Sequence, residues 1–466
     1  MDLFINRKSE LAFLNSRHKE LPQLIIIYGR RRIGKTELIK KFISDKPHIY
    51  FLATETSTQN HLTKFMQIVA SYFNDFLPKI DSWEEAFKYI NTKIKNKKII
   101  IAIDEFPYLM SSNPEIPSLF QLFYDEYLKK NKVFLILSGS SIRMMEEGTL
   151  SYKAPLYGRR TGQIKLAPMQ FKDSMKFYPE LEIGKVMEFY TVVGNIPLYL
   201  QEFDQKKDIF GNIKEKILAK KELLNEEVDF LLKQELREIK TYQDILEAIA
   251  LGKTKAVDIA NKSNIELHNL SKYLRVLLQL EFITKQTKAT VKKEGKIIRY
   301  AIKDNFLDFW YKFVFTHTSL MVENPDALIE SIIKPDFNSY VGKKFEAVCM
   351  EFLWELNRQQ KLNFTFTRLG KEWGKFKKEK IIGTYEIDIV ALNEKTKEIM
   401  FVECKWQNNV NAEKILTELK EKASYVQWHN KTRKEFYCII AKGFEKKIKD
   451  CLCFDIKDMD RIFRNT

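Results

Sequence analysis

The stretch Leu24-Ile-Ile-Ile-Tyr28-Gly29-Arg30-Arg31-Arg32-Ile33-Gly34-Lys35-Thr36, continuing into Glu37-Leu-Ile-Lys-Lys-Phe-Ile-Ser44, decides the fold. Leu24–Tyr28 is an unbroken apolar run, as expected of a strand buried on both faces. Lys35–Ser44 carries a helical pattern. Between them stands a complete G-x-x-x-x-G-K-[ST] loop. Its glycines let successive backbone N–H groups curl around a phosphate at a helix N-terminus. Gly29, Arg30, Arg31, Arg32, Ile33, Gly34, Lys35, Thr36 and Glu37 are therefore assigned to nucleotide binding. Lys35 is expected to reach the β- and γ-phosphates, and the Thr36 hydroxyl to ligate Mg²⁺.

Outward from this loop, Ile99-Ile-Ile-Ala-Ile-Asp104-Glu105 is an apolar strand ending in two carboxylates, a Walker B pattern. Asp104 is expected to hold Mg²⁺ and to belong to the nucleotide site. Glu105 would polarise the water that attacks the γ-phosphate, which argues for hydrolysis rather than binding alone. Val133–Leu137 is a further strand, ending in Ser138-Gly-Ser140-Ser141. Ser140 at its tip would sense the γ-phosphate; a plain Ser/Gly turn is the alternative. In Pro155-Leu-Tyr-Gly158-Arg159-Arg160, the two arginines would supply a charge-stabilising finger, with an exposed basic loop as the alternative. With a strand at His48–Ala53, strands alternating with helices predict a parallel α/β sheet.

From Phe171 the strand signals stop and the pattern stays helical through Lys240. Three short helices follow at Thr241–Leu251, Lys255–Ala260 and Asn269–Gln279. Phe282–Gln286 and Lys296–Ile302 then flank a Lys292-Lys293-Glu-Gly turn. Three helices and a hairpin are the pattern of a winged helix-turn-helix. Asn269–Gln279 would be its recognition helix, offering His268, Asn269, Ser271, Lys272 and Arg275, with Lys292 and Lys293 in the wing. Such modules also serve as lids or protein contacts. A polar stretch with Pro325 and Pro335 leads to a last domain that opens with a helix at Gly342–Asn357.

That last domain carries a second signature. Tyr385-Glu-Ile-Asp388-Ile-Val390 and Phe401-Val-Glu403-Cys404-Lys405-Trp406 read as two strands joined by a polar turn. This resembles the D…ExK core of PD-(D/E)XK nucleases. Strand alternation puts Glu403 and Lys405 on one face. Asp388 and Glu403 would converge on a metal; oxygen ligands favour Mg²⁺, or Mn²⁺. Lys405 would position water or stabilise phosphate charge. Glu346 matches the upstream helix glutamate of such folds. A degraded nuclease fold that only binds nucleic acid or a partner is the alternative.

Further motifs widen the likeness. Phe4-Ile-Asn-Arg7-Lys-Ser-Glu10-Leu11, the P-loop, Asp104-Glu105, the Gly-Ser-Ser strand tip and the Tyr-Gly-Arg-Arg loop together resemble the archaeal-type AAA+/STAND ATPase family. Val193-Gly194-Asn195-Ile-Pro197-Leu-Tyr199-Leu200 is similar to that family's Gly-Gly-x-Pro-x-Tyr-Leu lid motif, with Asn195 in a glycine position that tolerates left-handed backbone. Tyr300–Trp310 is similar to the segment after its winged helix. The resemblance implies an α/β protein of three parts. These are a P-loop AAA+-like ATPase with helical lid (1–235), a winged helix-turn-helix (236–316) and a PD-(D/E)XK nuclease-like domain (334–466). It implies ATP and ADP as ligands, DNA as a partner, homo-oligomers through the ATPase domain, and work in genome maintenance or defence. The rival is a STAND-type signalling ATPase whose C-terminal domain is catalytically silent.

Composition bounds these expectations. The chain has 466 residues and a net charge of +16, with 45% hydrophobic and 30% charged residues. At roughly 150 residues per domain that suggests about three domains with real cores. The charge divides as +6 over 1–204, +3 over 205–333 and +7 over 334–466, so it forms no basic tail. It permits a nucleic-acid partner without requiring one. No apolar run approaches a membrane span and the N-terminus has no signal-peptide pattern, so a cytoplasmic location is expected. The five cysteines, Cys349, Cys404, Cys438, Cys451 and Cys453, are expected as reduced thiols in partly buried strands.

Overall fold

The computed structural model describes residues 4–95, 97–291, 298–378 and 381–465. Two compact units emerge, one formed by residues 1–168 with 196–198, the other by 169–195 with 199–466.

In the first unit the apolar runs become strands: β1 (Gln23–Tyr28), β2 (His48–Leu52), β3 (Ile99–Asp104) and β4 (Val133–Gly139), with a short fifth, β5 (Gly162–Lys165). All neighbours are parallel, in the order β2-β3-β4-β1-β5. β1, β3 and β4 are buried at every position, because helices cover both faces of a parallel sheet. Each isoleucine so buried contributes roughly 1.5–3 kcal/mol. On one face β1, β3 and β4 pack with aromatic helices, where Phe65, Trp83, Phe87, Phe120 and Phe123 form a continuous core. The carboxyl ends of β1, β3 and β4 come side by side, the place where open α/β sheets build their sites. β5 was not expected from the sequence. Its four residues, Gly-Gln-Ile-Lys, are too short and polar to announce a strand, and only Ile164 is buried.

In the second unit, helices Ile239–Ala250, Ala256–Lys262 and Leu267–Gln279 lead into β6 (Ile283–Gln286), antiparallel to β7 (Arg299–Ile302). Lys292 and Lys293 lie outside the described residues. Helix Leu267–Gln279 buries Leu270, Tyr273, Leu274 and Leu277, leaving His268, Ser271, Lys272 and Arg275 exposed. The segment read as a polar separator is helical. Pro325 heads the turn Pro325–Leu328, and Pro335 occupies the first turn of a 25-residue helix, Lys334–Arg358. Proline breaks helix interiors but suits a first turn, where its missing N–H has no partner to lose. The helix therefore begins eight residues before the expected Gly342.

Against this helix stands a mixed sheet in the order β14-β12-β10-β9-β8. It comprises β8 (Arg368–Lys378), β9 (Ile381–Asn393), β10 (Glu398–Lys405), β12 (Lys434–Ala441) and β14 (Leu452–Asp455); β11 (Val410–Asn411) and β13 (Phe444–Lys446) form a small separate pair. β8–β9 and β9–β10 are antiparallel, whereas β10–β12 and β12–β14 are parallel. Gly370 pairs with Val390 but Glu372 with Ile387, so β9 carries an extra residue around Asp388–Ile389. Such a bulge re-aims the side chains beside it.

Two local expectations change. Gly194, not Asn195, takes the positive φ of 70°. Asn195 instead ties its side-chain amide to the Met169 carbonyl at 2.7 Å, and its own carbonyl accepts from the Met169 N–H at 3.1 Å. Cys349 lies on the long helix rather than in a strand. Among the described residues no helix is long and apolar enough to cross a membrane.

Candidate functional site

The loop after β1 departs from ordinary backbone where its glycines stand. Gly29 has φ 152°, and a Cβ there would lie 2.6 Å from the Leu166 carbonyl oxygen. Gly34, at φ 95°, leads directly into helix Lys35–Ile43. Arg32 also has positive φ, and Arg30 and Ile33 are buried. Lys35 is 4% exposed and its ammonium donates to the Gly29 and Arg30 carbonyls, both at 3.0 Å. It is thus curled inside a loop of the kind whose N–H groups bind anions at a helix N-terminus. Glu37, exposed on the next turn, pairs with Lys40 at 3.6 Å, a surface contact worth little.

Thr36 donates its hydroxyl to Asp104 Oδ2 at 2.6 Å, joining the loop to the end of β3. Asp104 is fully buried; Tyr50 on β2 also donates to Oδ2, at 2.9 Å, and the Glu105 N–H donates to Oδ1 at 3.1 Å. Burial and the Asp104 charge push the Tyr50 phenol far above its ordinary pKa, so it stays a donor. Glu105 is held at φ 55°, a conformation costing a non-glycine residue roughly 1–3 kcal/mol and concentrated at functional sites. Its carboxylate accepts from Ser140 twice, from Oγ at 2.7 Å and N–H at 3.1 Å. Ser140 therefore stands on Glu105. The hard oxygens of Thr36 and Asp104 suit Mg²⁺, which takes one or two protein oxygens and completes its shell with water and phosphate.

Arg159 donates to Asp125 at 3.0 Å; Arg160 bonds the Leu150 carbonyl at 3.2 Å and lies over the Tyr157 ring. Two participants escaped sequence reasoning. Tyr50 reaches Asp104 from 54 residues away. Arg7, 5% exposed with φ 69°, donates to the Ile33 carbonyl at 3.1 Å and pairs with Glu10. Arg7 stood in the quoted N-terminal motif, but nothing in one sequence shows that it braces the phosphate loop.

In the second unit, Asp388 lies one residue beyond the last registered β9–β10 pair, and its Oδ2 accepts from the Cys404 N–H at 2.8 Å. Lys405 donates to Glu403 Oε1 at 2.9 Å, as strand alternation predicts. Lys422, from helix Ala412–Ser424, holds both oxygens of Glu403 at 3.0 and 3.1 Å. Glu346 pairs with Lys371 of β8. Glu346, Asp388 and Lys405 line one cavity of about 320 Å³ with Asn338, Ser339 and Gln407. Burial, then the Glu403 and Glu346 charges, push Asp388 up to about 7; burial also raises Glu346. Among the described residues no group of three or more His, Cys, Asp or Glu is placed to hold a metal.

A parallel sheet with a phosphate loop after the inner strand β1 and a bonded Thr-Asp pair defines a P-loop ATPase. Residues 4–203 match a family described as an ATPase domain predominantly from Archaea, and residues 310–415 a family of archaeal and bacterial proteins of unknown function. The chain is 38% identical over 464 residues to the uncharacterized protein MJECL04 of Methanocaldococcus jannaschii, covering 98% of this chain and 100% of that one. It belongs to this family of archaeal-type ATPases. A 45-residue stretch, 9% of this chain, is 58% identical to the uncharacterized ATP-binding protein MJ0423 of the same organism, covering 76% of it. The Walker-type ATPase PABY2304 of Pyrococcus abyssi shares the fold, with a TM-score of 0.50 and 21% identity over 66% of this chain and 96% of that one.

Proposed function

We propose that this ATPase is coupled to a metal-dependent DNA nuclease carried by residues 334–466, with residues 236–316 acting as a winged helix-turn-helix between them and residues 1–235 as the ATPase with its lid. The supporting observation is the meeting of Glu346, Asp388 and Lys405 in one cavity, with Glu403 bonded to Lys405 beside it. Asp388 and Glu403 would hold Mg²⁺ or Mn²⁺, which would polarise the phosphodiester and lower the pKa of a bound water. Lys405 would then orient that water or meet charge on the phosphate, and Glu346 would stand by as a further carboxylate. At the ATPase site, Thr36 and Asp104 would carry Mg²⁺, Lys35 the phosphates, and Glu105, held by Ser140, the attacking water. Arg159 or Arg160 would act as a finger toward a neighbouring copy. Helix Leu267–Gln279 would face DNA. A role in genome maintenance or defence follows from that activity.

A second reading has its own observation. Both Glu403 oxygens are bound by Lys422, and Glu346 by Lys371, so lysines already neutralise the carboxylates. A STAND-type signalling ATPase with a silent C-terminal domain would look like this. Incubating wild type, Lys35→Ala and Lys405→Ala with DNA, Mg²⁺ or Mn²⁺, with and without ATP, separates the two. The nuclease reading expects cleavage that Lys405→Ala abolishes. Cleavage surviving that change, or none under any condition, refutes it.

A further inference from the structure

A cavity of about 910 Å³ in the second unit lies between the helix–hairpin segment and the edge of the mixed sheet, near the top of the roughly 300–1,000 Å³ range of ligand pockets. One wall is Lys255, Lys288, Arg299 and Tyr300; the other is Trp373, Lys375 and their neighbours on β8 and β9. The walls are fixed to each other. The Ala289 N–H donates to the Lys371 carbonyl at 2.8 Å, and the Arg368 guanidinium returns to the Ala289 carbonyl at 2.9 Å. Arg299 lies 4.3 Å from the Trp373 ring centroid and pairs with Glu386 at 3.0 Å. That stack sets a planar cation on an aromatic floor, with Tyr300 beside it.

Charge is unbalanced along this groove. Arg299 is met by Glu386 and Lys288 by Glu372, but among the described residues neither Lys255 nor Lys375, both exposed, has a carboxylate within 4.0 Å. Two exposed ammonium groups, one on each wall, flank half-buried Tyr300 and the outer face of the Arg299 guanidinium, which covers the largely buried Trp373 and offers a plane on which a base can stack. This combination suits a phosphate backbone with unstacked bases, because every base offers a π-face while duplex bases are already stacked. The groove lies close to the candidate nuclease cavity, although the two share no lining residue. Glu386 in its wall is two residues from Asp388, roughly 7 Å along a strand. Glu386 is also close enough to Glu346 and Lys371 to bias the ionisation of both.

We infer that the groove between the helix–hairpin segment and strands β8–β9 binds an unpaired DNA strand and feeds it toward Asp388, an inference that rests on the nuclease reading for its second half only. The test is binding of a fluorescein-labelled oligo(dT) 20-mer to the full chain in EDTA, by anisotropy, across a salt series. Wild type is expected to prefer it to a duplex of the same length. Lys255→Gln with Lys375→Gln should weaken it tenfold or more and lower the slope of log K against log salt by roughly 1.4, about 0.7 per lost phosphate contact. Both lysines are exposed, and far-UV circular dichroism establishes that the double variant is folded. Equal or better duplex binding by wild type, no strand binding, or an unchanged slope in the double variant overturns the groove. Because EDTA prevents cleavage, a silent Asp388 site leaves this result intact, and cleavage with unchanged binding overturns the groove alone.

Discussion

Glu351, on helix Lys334–Arg358, is a carboxylate with too little to hold its charge. The Phe171 N–H donates to it at 2.8 Å, but burial pushes it up to about 7, with Asp173 adding and Lys172 and Arg358 opposing. An acid whose folded pKa lies above its unfolded value binds more protons when folded. Stability therefore falls as pH rises between about 4.5 and about 7 and levels off above that window. At about 1.4 kcal/mol per unit, the ceiling is roughly 3 kcal/mol; partial solvent access reduces it to about 2. Glu351→Gln keeps an acceptor for the Phe171 N–H and cannot ionise. The variant should therefore match wild type near pH 5 and exceed it by about 2 kcal/mol at pH 8, a few degrees in Tm for a unit of this size. Differential scanning calorimetry of both proteins at pH 5, 6.5 and 8 reads this directly. A difference that does not grow with pH, or a glutamine variant less stable at pH 8, would refute the reasoning.

Three further outcomes follow from the geometry. Gly29→Ala drives a Cβ to 2.6 Å from the Leu166 carbonyl oxygen at φ 152°. Equilibrium binding of a fluorescent ATP analogue should be lost, with roughly 1–3 kcal/mol of stability. Ser140→Ala frees the Glu105 carboxylate of a 2.7 Å bond; hydrogen bonds to charged groups are worth roughly 1.5–3 kcal/mol, so kcat for ATP should fall ten- to a hundredfold while KM barely moves. Lys422→Met leaves buried Glu403 with Lys405 as its remaining ammonium partner. Urea unfolding should register a loss of about 1–3 kcal/mol, and an unchanged midpoint would show that the Lys422 pair contributes nothing.

The ATPase motifs were legible because a phosphate loop is a local object. Strand, glycine turn and helix follow one another within 21 residues, from Gln23 to Ile43, and backbone conformation there depends on side chains a few positions away. The same holds for Asp104-Glu105 at the end of β3 and for Glu403 and Lys405 two apart on β10. Elements lacking such a pattern were missed. β8, Arg-Leu-Gly-Lys-Glu-Trp-Gly-Lys-Phe-Lys-Lys, has few apolar positions and holds its place by pairing with β9. Pro335 looked like a break because a proline in isolation does not say whether it starts a helix or stops one.

By itself the sequence determined the nucleotide chemistry, the parallel sheet that carries it and the positions of the acidic strand ends, all consequences of short-range stereochemistry and hydrophobic period. Tertiary structure alone decided which charges meet. Tyr50 and Thr36 converge on Asp104, Ser140 on Glu105 and Lys422 on Glu403, while among the described residues Lys255 and Lys375 are left without a carboxylate partner across one groove. The physical reason is that a side chain's partners are set by how sheets and helices pack. Coulomb and hydrogen-bond energies depend on separations in space, which chain distance does not encode.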